Sequence, residues 1–144
     1  YFNFEREGID IMDQNQILEK VREILTGALG VDAEDITPKA SLTKDLGAES
    51  IDFIDIVFRL EKAFDLKIPA GDLFPGNILN NELYVQNGAV TEAGLAELKK
   101  KLPYLRVSDF AQNPKLTELP QFFDVQMLLD YLRDRINNPQ ASAT

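Results

Sequence analysis

The stretch at residues 50–64 constrains the fold most strongly, because it has helical periodicity and carries apolar side chains on two separate stripes. At about 100° per residue, the two stripes lie roughly 120° apart around the helix. The first stripe consists of Phe53, Val57, Leu60 and Phe64, and the second of Ile51, Ile54 and Phe58. Because a small domain can hardly bury both stripes equally, we expect the second to be a contact surface; burial of both is the alternative.

A helix is also predicted before this stretch, at residues 13–29. Asp13 is a suitable N-cap, and Gly30 is suited to end the helix. The apolar residues at helical spacing, which should form one buried stripe, are Ile17, Val21, Ile24, Leu25 and Ala28. We therefore expect this helix to supply one wall of the core.

The two helices are separated by a long predicted loop at residues 31–48, which contains several turn-forming residues. A loop of this length in a small domain should be held by its own apolar side chains, and Ile36, Leu42 and Leu46 are the candidates. Ser50 follows the loop and is a favoured residue type for an N-cap of the second helix.

After the second helix, a short helical turn is predicted at residues 70–74, and Pro75-Gly76-Asn77 should then break the chain. The final helix is predicted at residues 122–136. Its core side should consist of Val125, Leu128, Leu129, Leu132 and Ile136.

Residues 77–120 have the character of an insertion before this last helix. Asn87-Gly88 between two short apolar pieces predicts a hairpin, and Thr91 is a suitable N-cap for a helix at residues 92–101. The insertion is either a surface decoration or an element that changes a ligand pocket or partner surface. We expect contacts with the bundle at Tyr84, Leu95 and Tyr104 if the second interpretation holds.

Composition excludes several functions. The chain has no histidine and no cysteine, so Ser-His and Cys-His catalysis and thiolate metal sites cannot be built from it. Lys44 is the only lysine close to Ser50 in sequence, which makes this serine a better candidate for modification by another enzyme than for catalysis. The net charge of −9 argues against nucleic acid as a partner.

The chain is predicted to hold a single domain at residues 13–136, with a leader or extension at 1–12 and a disordered tail at 137–144. Met12 is the alternative natural start. No apolar run reaches the ~18 residues of a membrane span and no signal peptide is evident, so a cytoplasmic location is expected.

The segment Leu46-Gly47-Ala48-Glu49-Ser50-Ile51-Asp52 resembles the corresponding stretch of acyl carrier proteins, which usually have Asp-Ser-Leu at the central position. The residues downstream that share the resemblance are Ile54, Val57, Leu60, Glu61, Phe64, Ile68 and Pro69. The resemblance covers roughly residues 13–75 and 121–136 and leaves 77–120 outside. It implies an all-α fold, a four-helix bundle with a long first loop, to which the hairpin and helix of residues 77–120 are added.

The resemblance further implies that Ser50 is the attachment site of 4′-phosphopantetheine, transferred from coenzyme A. The chain would then be a non-catalytic carrier of acyl groups, held as thioesters on the arm, in fatty-acid or related lipid or specialised-metabolite synthesis. Its partners would be a phosphopantetheinyl transferase and acyl-processing enzymes such as synthases, transferases and reductases. A monomer is expected.

In the family, the second helix is the main recognition helix. By resemblance, its partner surface would combine acidic and apolar side chains from the start and exposed face of that helix: Glu49, Ile51, Asp52, Ile54, Asp55, Phe58 and Glu61. Two alternatives stay open, a structural subunit that keeps the carrier fold and a peptidyl carrier.

A metal site was also weighed at Asp45, Glu49 and Asp52. Their spacing lacks the alternating acids and the following glutamate of a calcium loop, so no functional metal site is predicted.

Overall fold

The computed structural model describes residues 13–73 and 76–137 and shows an all-α bundle with one small hairpin. The helices are α1 (Gln14–Leu29), α2 (Ser50–Phe64), α3 (Gly76–Leu79), α4 (Glu92–Lys101), α5 (Val107–Phe110) and α6 (Val125–Asn137). The hairpin consists of β1 (Val85–Gln86) and β2 (Ala89–Val90), and 3₁₀ turns lie at Ala33–Asp35, Ala70–Asp72 and Leu116–Phe122. Helix α1 packs against both α2 and α6. The predicted fold class is confirmed.

Helix α1 begins and ends where its local sequence predicts. The Asp13 carboxylate accepts a hydrogen bond from the Gln16 N–H at 2.8 Å, and the Gln16 side chain accepts one from the Asp13 N–H at 3.0 Å. Gly30 takes a left-handed conformation with φ 71°, and its N–H donates to the Thr26 carbonyl. Four of the five predicted stripe residues are buried: Ile17, Val21, Ile24 and Leu25.

The long loop between α1 and α2 is held by the three side chains that the sequence predicts, since Ile36, Leu42 and Leu46 are all buried. Its backbone is also paired with the chain just before α6. The Leu42 N–H donates to the Phe123 carbonyl at 2.9 Å, and the Val125 N–H donates to the Ala40 carbonyl at 3.0 Å. This pairing joins two parts of the chain that are far apart in sequence.

The start of the last helix differs from the prediction. Helix α6 begins at Val125, not at Phe122, because the Asp124 carboxylate accepts a hydrogen bond from the Met127 N–H at 3.0 Å and caps the helix. The preceding residues, Leu116–Phe122, form a 3₁₀ helix that includes Pro120. The predictions for the leader, for Met12 as a start and for residues 138–144 lie outside the described residues.

The predicted break after residue 75 is also wrong in part. A 3₁₀ turn forms at Ala70–Asp72, within the predicted range, but Gly76–Leu79 then makes a further helical turn, α3. Ile78 of this turn is buried. Burial of an apolar side chain favours the turn even though glycine and asparagine at its start are poor helix formers.

Residues 77–120, which the sequence analysis interprets as an insertion and which we call the insertion, have the predicted hairpin and helix. Asn87 and Gly88 both have positive φ, 55° and 76°, as a two-residue hairpin turn requires. The Thr91 hydroxyl accepts a hydrogen bond from the Gly94 N–H at 3.1 Å and caps α4. A Cβ at Gly94 would lie 2.3 Å from the Tyr84 carbonyl oxygen, so only glycine allows the hairpin and α4 to pack this closely.

One hydrophobic cluster includes side chains from the bundle and from the insertion. The fully or almost fully buried members from the insertion are Val90, Leu98, Leu102, Leu105, Val107, Phe110 and Leu119. The insertion is therefore part of the core and not a decoration on its surface. Tyr84, Leu95 and Tyr104 are partly buried and pack against this cluster, and the Tyr104 ring lies 5.7 Å from the Tyr131 ring of α6.

Candidate functional site

The start of α2 differs from the prediction in one residue. The N-cap is Glu49, not Ser50: Glu49 is extended, with φ −107° and ψ 172°, and Ser50 is the first helical residue. The Glu49 carbonyl accepts hydrogen bonds from the Asp52 and Phe53 N–H groups, and the Asp52 carboxylate accepts one from the Glu49 N–H at 2.8 Å. The Glu49 backbone and the Asp52 carboxylate thus take the place of the serine cap that the sequence suggested.

The loop that leads to Ser50 is fixed by its backbone. Gly47 has φ 74°, a left-handed conformation that favours glycine, and its N–H donates to the Thr43 carbonyl at 3.1 Å. The Ala48 N–H donates to the Leu42 carbonyl at 2.8 Å, and the Leu46 and Ala48 side chains are buried. Residue 50 is therefore held at the helix end by a rigid turn, where unpaired N–H groups and the helix dipole favour an anion.

The two stripes of α2 have different environments. Ile51, Ile54 and Phe58 are 73%, 74% and 53% exposed, and the Lys62 Nζ lies 4.8 Å from the centre of the Phe58 ring. The second stripe is therefore exposed, as expected, and the alternative that both stripes are buried is wrong. We call these three residues the apolar patch.

The buried side of α2 is rotated relative to the predicted core stripe. Ile56 and Leu60 are fully buried, whereas Phe53, Val57 and Phe64 are only partly buried. Ile56 lies about 60° from Phe53 around the helix, on the side away from the apolar patch. The two predicted stripes do not include Ile56, although its position beside Leu60 on the helix surface could have indicated its burial.

The acidic residues predicted for the partner surface make contacts within the chain. Asp55 pairs with Arg59, with both carboxylate oxygens 3.1 Å from Nε. The Glu61 carboxylate accepts a hydrogen bond from the Ile68 N–H at 2.8 Å, which fixes the chain after α2. The carboxylates of Asp52, Asp55 and Glu61 are thus engaged within the chain, whereas the apolar patch is exposed.

No group of three or more His, Cys, Asp or Glu side chains within residues 13–73 and 76–137 is arranged to hold a metal ion. Asp45 and Asp52, two of the acids weighed above as metal ligands, accept backbone N–H groups instead, from Ser41 and Glu49. None of the helices in the described part of the chain has the length and apolarity that a membrane crossing needs.

A network of polar side chains connects the end of the bundle to the insertion. The buried Arg135 pairs with Asp72 at 3.2 Å and donates to the Tyr131 hydroxyl and the Lys67 carbonyl. The Tyr131 hydroxyl donates to Asp72 at 2.7 Å. The Tyr104 hydroxyl from the insertion donates to the Asp134 carboxylate at 2.6 Å. Burial, followed by these carboxylate contacts, raises the pKa of both tyrosines well above the ordinary value of 10.0.

An apolar groove of about 380 Å³ opens beside the first turns of α2. Thr43 of the long loop and Phe53 of α2 line one part of it, and Leu79, Leu116 and Leu119 line another. The Thr43 Oγ1 is buried and makes no hydrogen bond within the described part of the chain.

Comparison with known proteins agrees with this geometry. Residues 19–77 match the family of the phosphopantetheine attachment site. This stretch contains most of α1, the long loop and all of α2. A helical bundle with this motif at the start of α2 defines a carrier protein of the phosphopantetheine class.

Two curated relatives are similar over 58 residues, which is 40% of this chain. The acyl carrier protein of Rubrobacter xylanophilus is 45% identical, and the matched stretch is 72% of its length. The acyl carrier protein of Cyanidioschyzon merolae is 48% identical, and the stretch is 64% of its length. The chain belongs to the acyl carrier protein family, and its cofactor is phosphopantetheine. The predicted family and cofactor are confirmed.

Proposed function

We propose that this protein carries acyl groups on a phosphopantetheine arm attached to Ser50 and presents them to acyl-processing enzymes. The observation that supports this site is that residues 19–77 contain only two serines, Ser41 and Ser50. Ser41 is 3% exposed, and its hydroxyl donates to the Pro120 carbonyl at 3.0 Å. A transferase could not reach that hydroxyl without disrupting the loop, so Ser50 is the remaining serine.

The attachment chemistry needs nothing catalytic from this chain. The Ser50 oxygen bonds to the phosphorus of the phosphopantetheine part of coenzyme A, while the pyrophosphate P–O bond breaks and adenosine bisphosphate leaves. The serine proton passes to a base of the transferase. First-turn N–H groups and the positive end of the α2 dipole favour the resulting phosphodiester. The arm supplies a terminal thiol, which this cysteine-free chain lacks, for a thioester to the acyl group.

The surface that meets the transferase and the acyl-processing enzymes is, in this proposal, centred on the apolar patch of Ile51, Ile54 and Phe58. Exposed apolar groups of this size next to a modification site favour a docking role. Asp52, Asp55 and Glu61 make bonds within the chain, so they contribute mainly through the negative field. Glu49 and the net charge of −9 add to that field, which steers basic partner surfaces.

Intact mass after incubation with coenzyme A and a broad-specificity phosphopantetheinyl transferase tests the site. We expect the wild-type protein to gain one phosphopantetheinyl group and the Ser50→Ala variant to gain none. Ser50→Ala should stay folded by circular dichroism, because Ser50 is not the helix cap and alanine is a good helix former.

Ser108→Ala is the matched control, since Ser108 is exposed and lies outside the family match. This variant should be modified like the wild type. Modification of Ser50→Ala would overturn the site. Failure of the wild type with several transferases would overturn the carrier function and favour a structural subunit.

A further inference from the structure

The insertion carries a concentrated positive charge in an otherwise acidic chain. Residues 98–108 contain four cations, Lys99, Lys100, Lys101 and Arg106, and no acid, although the whole chain has a net charge of −9. The three lysines are consecutive at the end of α4, and all three are exposed. The ion pairs within the described part of the chain include none of them, so their charges are available to a partner.

Helix stability alone does not account for three lysines at this position. The dipole favours a cation near a helix C-terminus, but α1 has no basic residue in its last turn and α2 has only Lys62. Because successive residues lie about 100° apart, the lysines spread over roughly 200° around the end of α4. They do not converge on one point, as the ligands of a small anion would, and they suit an extended acidic surface.

The backbone that carries the lysines is fixed by the core. Leu98, Leu102 and Leu105 on either side of them are buried. The Leu102 N–H donates to the Leu98 carbonyl at 2.7 Å, and the Leu105 N–H donates to the Leu102 carbonyl at 3.0 Å. A surface held in place before binding loses less conformational freedom when a partner docks, which favours specific recognition.

A cleft of about 480 Å³ lies between this segment and α6. On the insertion side it is lined by Pro103 and the three residues that follow, directly after the lysine turn. From α6 it is lined by Asp130, Arg133, Asp134 and Asn137. The cleft therefore adjoins the lysines and extends their surface onto the last helix of the bundle.

The charged groups of the cleft are mostly engaged within the chain. Asp134 accepts a hydrogen bond from the Tyr104 hydroxyl, and Asp130 accepts one from the Gln126 amide at 2.8 Å. Arg106 pairs with Asp124 at 3.0 Å. The lining residue Arg133 is exposed and makes no ion pair or hydrogen bond within residues 13–73 and 76–137. A carboxylate that enters the cleft would meet this guanidinium, whose planar fork fits it in a bidentate manner.

We propose that Lys99, Lys100, Lys101 and Arg133 form a second docking surface, the basic face, which binds an acidic segment of a partner protein. It is separate from the apolar patch on α2 and has the opposite charge to most of the chain. The inference goes beyond the carrier function and does not depend on the arm at Ser50. Two surfaces of different chemistry would select partners that present both counterparts, which favours a dedicated set of partners.

The remaining surface argues against lipid and nucleic acid as the occupant. The net charge of −9 repels anionic membranes and phosphate backbones as a whole, whereas a local acidic segment contacts only the basic face. The large exposed apolar side chains of the described residues are Ile51, Ile54, Phe58 and Leu83, and none lies within residues 98–137. The basic face thus has no large apolar group to enter a bilayer.

A second copy of the chain is also a poor counterpart. The carboxylates of Asp52, Asp55 and Glu61 on its α2 already accept hydrogen bonds within the chain. Docking of α2 onto the basic face would also cover the apolar patch, which the proposed function keeps free for enzymes. An acidic segment of a different protein meets neither obstacle.

The test uses the unmodified full chain and a glutamate-rich peptide labelled with a fluorophore as the probe. Fluorescence anisotropy at ~0.1 M salt, where the Debye length is about 10 Å, measures the dissociation constant. With ¹⁵N-labelled protein, we expect the peptide to shift amide resonances at 99–106 and 130–137 and to leave those of α2 unchanged.

Two triple variants with the same change in net charge separate the basic face from general electrostatics. Replacing Lys99, Lys100 and Lys101 by glutamine should raise the dissociation constant about tenfold. Replacing the exposed lysines Lys39, Lys67 and Lys115 by glutamine is the control and should change it less than about twofold. Arginine at 99, 100 and 101 should restore binding. Circular dichroism verifies that each variant is folded.

A single pair of variants tests the cleft. Arg133→Gln should raise the dissociation constant about threefold, because it removes the free guanidinium, and Lys115→Gln should leave it unchanged. Wild-type affinity of Arg133→Gln would overturn the part of the proposal that includes the cleft.

Other outcomes assign the lysines elsewhere. Equal losses in the two triple variants, or resonance shifts away from the basic face, overturn the docking surface. Lysine-dependent binding to phosphatidylserine vesicles, with none to the peptide, assigns the lysines to a lipid surface and overturns the inference. A dimer in sedimentation that is lost in the Lys99–Lys101 glutamine variant assigns them to a second copy and overturns it too. None of these results affects the mass test of Ser50, which is read independently.

Discussion

The large exposed apolar side chains in the described part of the chain are divided unevenly between two regions, the family-matched stretch at residues 19–77 and the insertion that follows it. In the matched stretch, Ile54 and Ile51 of α2 are about three-quarters exposed, at 74% and 73%. In the insertion, Leu98 and Phe110 are buried, at 0% and 1%. The insertion contributes to the core, while α2 keeps an apolar surface exposed.

This difference supports the proposed docking role of α2. Exposed apolar patches are unfavourable for a lone domain, and their retention on α2 fits a surface that is covered in complexes. The insertion has little such surface; its main exposed exception is Leu83. We therefore expect changes at buried positions of the insertion to affect stability, and changes on the patch to affect docking at α2.

The largest predicted effect is on stability. Leu98→Ala should lower the free energy of unfolding by about 2–5 kcal/mol, because it leaves a cavity at a fully buried position of α4. Ile54→Ala on the patch should change it by less than about 0.5 kcal/mol. Urea unfolding followed by circular dichroism measures both values.

The shape of the same unfolding curves tests whether the two regions fold together. A single transition is expected, since their side chains share one cluster. A Leu98→Ala variant with wild-type stability would contradict the contribution of Leu98 to the core. A separate early transition for the insertion would show that the two regions do not fold together.

A slightly smaller effect is predicted at the polar network between the matched stretch and α6. Asp72→Ala should destabilise the protein by about 2 kcal/mol, because it leaves the buried Arg135 guanidinium without its carboxylate. The expected loss of stability is smaller than for breaking a fully buried ion pair, because the Asp72 side chain is 39% exposed. Glu82→Ala, at an exposed acid of the insertion, is the control and should be near neutral. Equal stability of both variants in urea would show that the pair contributes nothing.

Features set by neighbouring residues could be predicted from the sequence. The Asp13 cap, the Gly30 end, the Asn87-Gly88 turn and the Thr91 cap each depend on contacts within a few residues, and all four are confirmed. The motif around Ser50 predicted the family and the cofactor in the same way, because its residues are consecutive.

Features set by distant parts of the chain could not be predicted. The loop before α2 pairs with the chain near Phe123, about eighty residues away, and nothing in the local sequence indicates this pairing. N-cap propensity favours Ser50 over Glu49, so the cap at Glu49 could not be predicted from it. Arg135 is charged, and its burial depends on Asp72, the Tyr131 hydroxyl and the Lys67 carbonyl.

Docking of the transferase should be sensitive to substitutions on the apolar patch that leave stability unchanged. Ile54→Ser should lower kcat/KM of the transferase for this protein roughly tenfold, or about 1.4 kcal/mol, because it removes an apolar group at the centre of the patch. Leu83→Ser, at an equally exposed position of the insertion, should leave kcat/KM unchanged. An equal loss in the two variants would mean that docking does not distinguish the two regions.

The hydrogen bond between Tyr104 of the insertion and Asp134 of α6 should contribute less to the free energy of unfolding than the Arg135–Asp72 pair. Tyr104→Phe should cost about 1 kcal/mol below pH 10, because it removes the hydrogen bond to Asp134. Burial raises the pKa of Tyr104 in the folded state above the ordinary value of 10.0, so its stabilisation is full below pH 10 and declines above it. The difference in unfolding free energy between wild type and variant should therefore shrink above pH 10. A difference that grows with pH would contradict this assignment.

The smallest predicted effect is at Thr43, which lines the groove between the matched stretch and the insertion. Thr43→Val keeps the shape of the side chain and removes the buried hydroxyl that has no hydrogen bond within the described part of the chain. It should stabilise the protein by about 0.5–1 kcal/mol in urea, because an unpaired polar group no longer has to be buried. Thr117→Val, at an exposed threonine next to the groove residue Leu116, is the control and should leave the free energy of unfolding unchanged. A loss of stability in Thr43→Val would show that the hydroxyl contributes to the stability of the folded state.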